Sequence, residues 1–182
     1  MKLINVKFRK LVSVAAVLMF LLTVLIPSAF AVDYGAEGAA EKVDFSLEEM
    51  LKYALEDEYL ARAEYELIIN EYGSQRPFSN IIKAEEYHIS LIKPLFEKYD
   101  FYLAEDSSEE YVVLPESIAA AFQTGIDAEI ANIEMYDRFL EEDLPEDVRT
   151  VFEELKRGSE NHLRAFKNGL ERNNGRGNGY MN

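Results

Sequence analysis

Apolar residues recur every three to four positions in four separate stretches of the chain, the spacing of helices that bury one face. The first stripe is Leu47, Leu51, Ala54, Leu55, Ala61, Tyr65, Ile68 and Ile69. Ser46 and Glu49 form a capping-box signal before it, and Gly73 is placed to end it. The second opens after Pro77 with Phe78, Ile81, Ile92 and Leu95, and Pro94 predicts a kink or an early end there. The third, from about Pro115 to Leu140, carries Ile118, Phe122, Ile126, Ile133, Tyr136 and Leu140. The fourth starts at Pro145 and carries Val148, Phe152, Leu155, Phe166 and Leu170. The short link 141–144 makes the last two helices antiparallel. Residues 100–115 are polar between two small apolar groups, and fit either a long crossover or a small hairpin. No stretch alternates as a strand does, so the expected fold is all-α, a four-helix bundle with a long connection between its second and third helices.

Five polar residues break the stripes. Glu58 lies three residues from Leu55 and seven from Leu51, and Glu129 lies between Ile126 and Ile133. Glu85 and His88 share the face of Ile81 and Ile92, and His162 sits between Leu155 and Phe166 with Ser159. An ionised carboxylate buried without partners costs several kcal/mol, so about that much must be recovered from something these groups bind. They are too many to be stray core residues, and counting along the last two helices puts Glu129 and His162 at similar heights. Glu58 matches the height of Glu85 and His88 less well. Carboxylates and imidazoles without sulfur suit iron, manganese or zinc, and two histidines would be wasted on a calcium cage. Glu56, Asp57, Glu64 and Glu66 fall off the stripe and read as solvated surface.

The ends of the chain have a different character. Lys2, Lys7, Arg9 and Lys10 precede an apolar run from Leu11 to Ile26, and Pro27-Ser28-Ala29-Phe30-Ala31 resembles a leader-peptidase site. An exported protein is expected, secreted, periplasmic or on the cell surface, with Val32 as its first residue; an uncleaved anchor is the alternative. Residues 32–43 read as a mobile linker, 44–171 as the bundle and the Gly/Asn-rich 172–182 as a disordered tail. The net charge of −15 becomes −19 without the leader, which carries four basic and no acidic side chains. That balance opposes binding to nucleic acid, and opposes membrane contact once the leader is gone. The 182 residues include no cysteine, which excludes disulfides, thiolate metal sites and cysteine nucleophiles.

Three segments carry a resemblance: Glu56-Asp57-Glu58-Tyr59-Leu60-Ala61-Arg62, Ala84-Glu85-Glu86-Tyr87-His88 and Gly158-Ser159-Glu160-Asn161-His162-Leu163-Arg164-Ala165-Phe166. They resemble the ferritin-like superfamily of di-iron carboxylate bundles, which use one Glu from each of two helices and Glu-x-x-His from the other two. More narrowly, Leu55 to Phe166 resembles the exported family called domain of unknown function 2202. The resemblance implies metal ligation by Glu58, Glu85, His88, Glu129 and His162. It also implies two iron or manganese ions bridged by Glu85 and Glu129, and chemistry on O₂, peroxide or iron. One position departs: Ser159 stands where the second Glu-x-x-His needs its Glu, which leaves three carboxylates and a mononuclear or asymmetric site as an alternative to the di-iron one. Arg62 is a candidate to orient Glu58, and Tyr59, Tyr65, Tyr87 and Tyr136 are candidate electron relays. If an enzyme, the protein is a di-metal oxidoreductase. The alternatives are non-catalytic metal storage or delivery, haem between the two histidines (opposed by the three acids), and a metal-free helical interaction module.

Overall fold

A computed structural model describes residues 33–73 and 75–177, and the expected leader at 1–31 lies outside them. The described chain is all-helical, with five α-helices, one 3₁₀ turn and no strand. They are α1 (Gly35–Ala40), α2 (Leu47–Tyr72), α3 (Phe78–Lys98), α4 (Ile118–Leu140) and α5 (Glu146–Gly177), with the 3₁₀ turn at Ser108–Glu110. None of the described helices is long and apolar enough to cross a membrane.

Helix α2 starts at the expected capping box: Ser46 Oγ accepts from Glu49 N–H, and the Glu49 carboxylate accepts from Ser46 N–H at 2.9 Å. It ends at Gly73, whose φ of +83° suits a residue without a side chain. Helix α3 does not stop at Pro94 but continues to Lys98. The carbonyl that Pro94 cannot serve belongs to Ser90, which is exposed and can be solvated. Residues 100–115 cross to the start of α4 without a hairpin, their 3₁₀ turn packed on α2. Ser117 caps α4 by accepting from Ala120 N–H at 3.1 Å.

The four long helices each touch two of the others: α2 packs on α3 and α4, and α5 packs on α4 and α3. Their shared interior holds two apolar clusters. One contains Leu51, Leu55, Ile92, Tyr136, Phe139, Phe152 and Leu155. The other contains Tyr65, Ile68, Phe78, Ile81, Phe122, Ile126 and Phe166. The buried polar residues of the stripes fall between these clusters in sequence on α3, α4 and α5, and on α2 Glu58 falls at the edge of the first beside Tyr59, so a polar layer divides the core.

Both ends of the helical region differ from expectation. Residues 35–40, expected within a mobile linker, form α1, which packs on α2 and α4 with Ala36 and Ala39 buried. Tertiary contacts hold it: Gly35 N–H donates to Glu56, Ala36 N–H to Asp57 Oδ1 at 2.9 Å, and Arg138 to the Ala39 carbonyl at 2.9 Å. At the other end α5 runs on through residues 172–177, into the stretch expected to be a disordered tail. Nothing in the packing explains that continuation.

Candidate metal centre

The polar layer is built by one side chain or one pair from each long helix. Glu58 comes from α2, Glu85 and His88 from successive turns of α3, Glu129 from α4 and His162 from α5. All five are buried, none more than 7% exposed. Each sits on its helix's apolar face, so the packing that forms the core also carries these groups inward.

Two three-residue groups result, each with its ligand atoms within 4.8 Å of one another: Glu58, Glu85 and His88, then Glu85, Glu129 and His162. Glu85 belongs to both. Its Oε2 lies 3.1 Å from His88 Nδ1 and its Oε1 lies 3.2 Å from His162 Nδ1. His88 Nδ1 is also 3.0 Å from Glu58 Oε2, and His162 Nδ1 is 3.3 Å from Glu129 Oε1. Both imidazoles therefore turn the same nitrogen inward, and their rings stack with centroids 5.7 Å apart. Of the two carboxylates expected to bridge, only Glu85 is shared. Glu129 serves one group alone.

Two tyrosines anchor carboxylate oxygens of the layer, one turned away from the histidines and one that also faces His162. Tyr136 donates to Glu58 Oε1 at 2.9 Å and Tyr65 donates to Glu129 Oε1 at 3.2 Å. Burial lifts both phenols well above their ordinary pKa, so both remain protonated donors. The other two relay candidates make no hydrogen bond to the layer: Tyr87 is exposed with its ring 6.2 Å from that of His88, and Tyr59 lies under the cations of Arg62 and Lys93. Arg62 does not reach Glu58 but pairs with Asp106 in the crossover.

Without a bound cation the layer holds its charge by sharing protons. Burial drives the Glu58 carboxyl well up, reinforced by the Glu85 charge, and burial likewise raises Glu129. For Glu85 burial acts in the same direction, but the two facing imidazoles and Glu58 outweigh it and hold the group low. Burial pulls both histidines down, yet the carboxylates before them push each up to about 10. Even so His162 Nδ1 is not satisfied: neither facing carboxylate has the alignment of a hydrogen bond, and the atom is fully buried. An unpaired buried nitrogen aimed at carboxylate oxygens fits a cation held among them.

Ser159 is buried next to this layer, one turn before His162, and its hydroxyl turns back to the Leu155 carbonyl at 3.3 Å. The position offers no fourth carboxylate. Three acids that periodicity placed on the surface are also drawn in. Glu64 is buried, while Asp57 and Glu56 are partly covered by α1. Asp57 also accepts from Asn132 of α4. Burial raises both Asp57 and Glu64 to about 7. The signal available for them was Asp57's place in the motif beside Glu58; nothing marked Glu64.

A relative from Methanocaldococcus jannaschii, "Uncharacterized protein MJ0754", is 32% identical over 126 residues, covering 61% of this chain and 68% of the relative. The crystal structure of hypothetical protein MJ0754 from Methanococcus jannaschii superposes with a TM-score of 0.60 at 27% identity, covering 73% of this chain and 85% of that one. Residues 48–181 match the family described as "Uncharacterized protein domain (DUF2202)". That match takes in every one of the five convergent side chains, and the chain belongs to the DUF2202 family.

Proposed function

We propose that the protein is an exported, ferritin-like four-helix bundle whose Glu58, Glu85, His88, Glu129 and His162 hold iron or manganese, as one ion or an asymmetric pair. The observation that carries the reading is Glu85, one carboxylate set between two inward Nδ1 atoms with a further buried carboxylate beside each. Such a donor set suits a borderline or hard redox metal better than a soft one. Zinc fits the same donors but leaves no redox role. Export rests on the basic, apolar and small-residue pattern of residues 1–31.

When bound, iron or manganese would supply electron transfer to O₂ or peroxide, or from ferrous ion. The chain's own share is distinct. Glu85 spaces two sites, the two histidines neutralise their carboxylates until a cation replaces their protons, and Tyr65 and Tyr136 fix one oxygen each of Glu129 and Glu58. The two apolar clusters keep bulk water from the layer.

Elemental analysis after refolding in equimolar Fe(II), Mn(II) and Zn(II) tests the reading. One or two ions per chain are expected, and Glu85→Ala should lose them, because both groups share that residue. Metal-free protein, or content unchanged by Glu85→Ala, would leave a helical interaction module. A second reading, storage or delivery without turnover, is favoured by Ser159, which withholds the carboxylate that would balance two divalent ions. Peroxide or O₂ consumption beyond one stoichiometric turnover decides for the enzyme.

A further inference from the structure

Outside the centre, α2, α4 and residues 111–113 enclose a cleft of about 370 Å³. Its acidic lining runs from exposed Glu37 and Asp127 through half-buried Asp57 to buried Glu64. No lysine or arginine lines it. Asp57 is occupied, since its oxygens accept from Ala36 N–H and from Asn132. Glu64 is not: the residue is 9% exposed, and its Oε1 is a buried oxygen without any hydrogen-bond partner. An unpaired carboxylate at that depth is costly, and elsewhere in this chain such charges are met by an imidazole, a tyrosine or a backbone N–H.

We propose that this cleft is a second cation site, in which buried Glu64, with Asp127 of the same lining, takes a divalent ion that keeps most of its water. Six waters occupy roughly 30 Å³ each, so the cleft has room for a hydrated ion but offers too few protein oxygens to strip it. Weak, water-rich binding follows. The site stands next to the centre: Glu64 and Asp57 both feel the charge of Glu129, which lies two residues beyond Asp127 on α4. As an approach to the centre the cleft rests on the metal-centre reading; as a cation site it does not.

Titration of the purified protein with Mn(II), followed by loss of the aqueous six-line electron paramagnetic resonance signal, separates the two. Two classes are expected, with the weaker one near one ion per chain. Glu64→Gln should abolish the weaker class, keep the tighter one and slow its loading at least threefold. Ala128→Lys, at an exposed position lining the same cleft, should weaken that class at least tenfold and covers the case in which Glu64→Gln does not fold. A weaker class that survives both substitutions, or its absence from the unaltered protein, overturns the proposal. A Glu64-dependent class without any tighter one would leave the cleft standing and remove the centre.

Discussion

A Cβ added at Gly158 would stand 2.4 Å from Cε1 of His88 and 2.6 Å from its Nε2. The α3 imidazole thus stands with its Cε1–Nε2 edge against the backbone of α5, one residue before Ser159. It cannot retreat without leaving Glu58 and Glu85, which hold its other nitrogen.

In a solvated helix, Gly→Ala gains about 1 kcal/mol. Gly158→Ala should instead lose stability, since forcing an extra methyl into packed contacts costs about 1–3 kcal/mol. Metal content should fall with it, because the ring that must move carries a proposed ligand atom. Urea unfolding and elemental analysis of the same preparation check both; a variant that is more stable with full metal content would refute the contact.

Tyr136→Phe removes the hydroxyl that donates to Glu58 Oε1 and leaves a buried oxygen without its partner. The expected cost is about 1–3 kcal/mol of stability. The loss should shrink when metal is bound, because a ligated carboxylate needs the phenol less. Denaturation with and without added Mn(II) measures the difference. An equal loss in both conditions would separate Glu58 from the ion.

The five convergent residues were legible because each breaks an apolar stripe, and a polar group on a buried face has few bland explanations. The layer that covers α2 was not. Gly35–Ala40 is too short to show a period, and its helix depends on contacts with Glu56, Asp57 and Arg138 that lie 20 to 100 residues away in sequence. Once α1 packs there, acids one step off the stripe of α2 become an interface, which a single-helix pattern cannot anticipate. Which partners Glu129 takes was not legible for a related reason. Spacing puts it in the layer, but helix rotation decides which group it joins, and it faces Glu85, His162 and Tyr65.

Arg138 ties that cover down. Its guanidinium donates to the carbonyls of Ala39 and Lys42 and lies over the Phe45 ring at 4.9 Å. Arg138→Ala should release α1, at a cost of about 1.5–3 kcal/mol for charge-assisted hydrogen bonds. Hydrogen exchange at residues 35–40 should quicken at least tenfold while exchange in α5 stays unchanged. Uniform acceleration across all helices would mean that α1 is no separate unit.

The protons of the layer predict opposite pH responses for the metal-free and metal-loaded protein. Unfolded histidine titrates near 6.5, whereas His88 and His162 hold their protons to about 10 in the folded chain. Their contribution is complete below about 6.5 and is lost as pH rises through about 10. Asp57 and Glu64, raised to about 7, act in the same direction, their contribution fading as pH climbs from about 4 through 7. Glu85 is held low, so its contribution is lost only in strong acid. Urea unfolding in chelator should therefore give lower stability at pH 9 than at pH 5, and the slope should flatten in a His88→Gln, His162→Gln double variant. A cation must displace the same imidazole protons, so its apparent affinity should rise with pH and each binding event at pH 7 should release at least one proton. Calorimetry in buffers of different ionisation enthalpy counts them. Binding without proton release, or a metal-free protein more stable at pH 9, would mean that these histidines are neutral and that the charge balance of the layer is wrong.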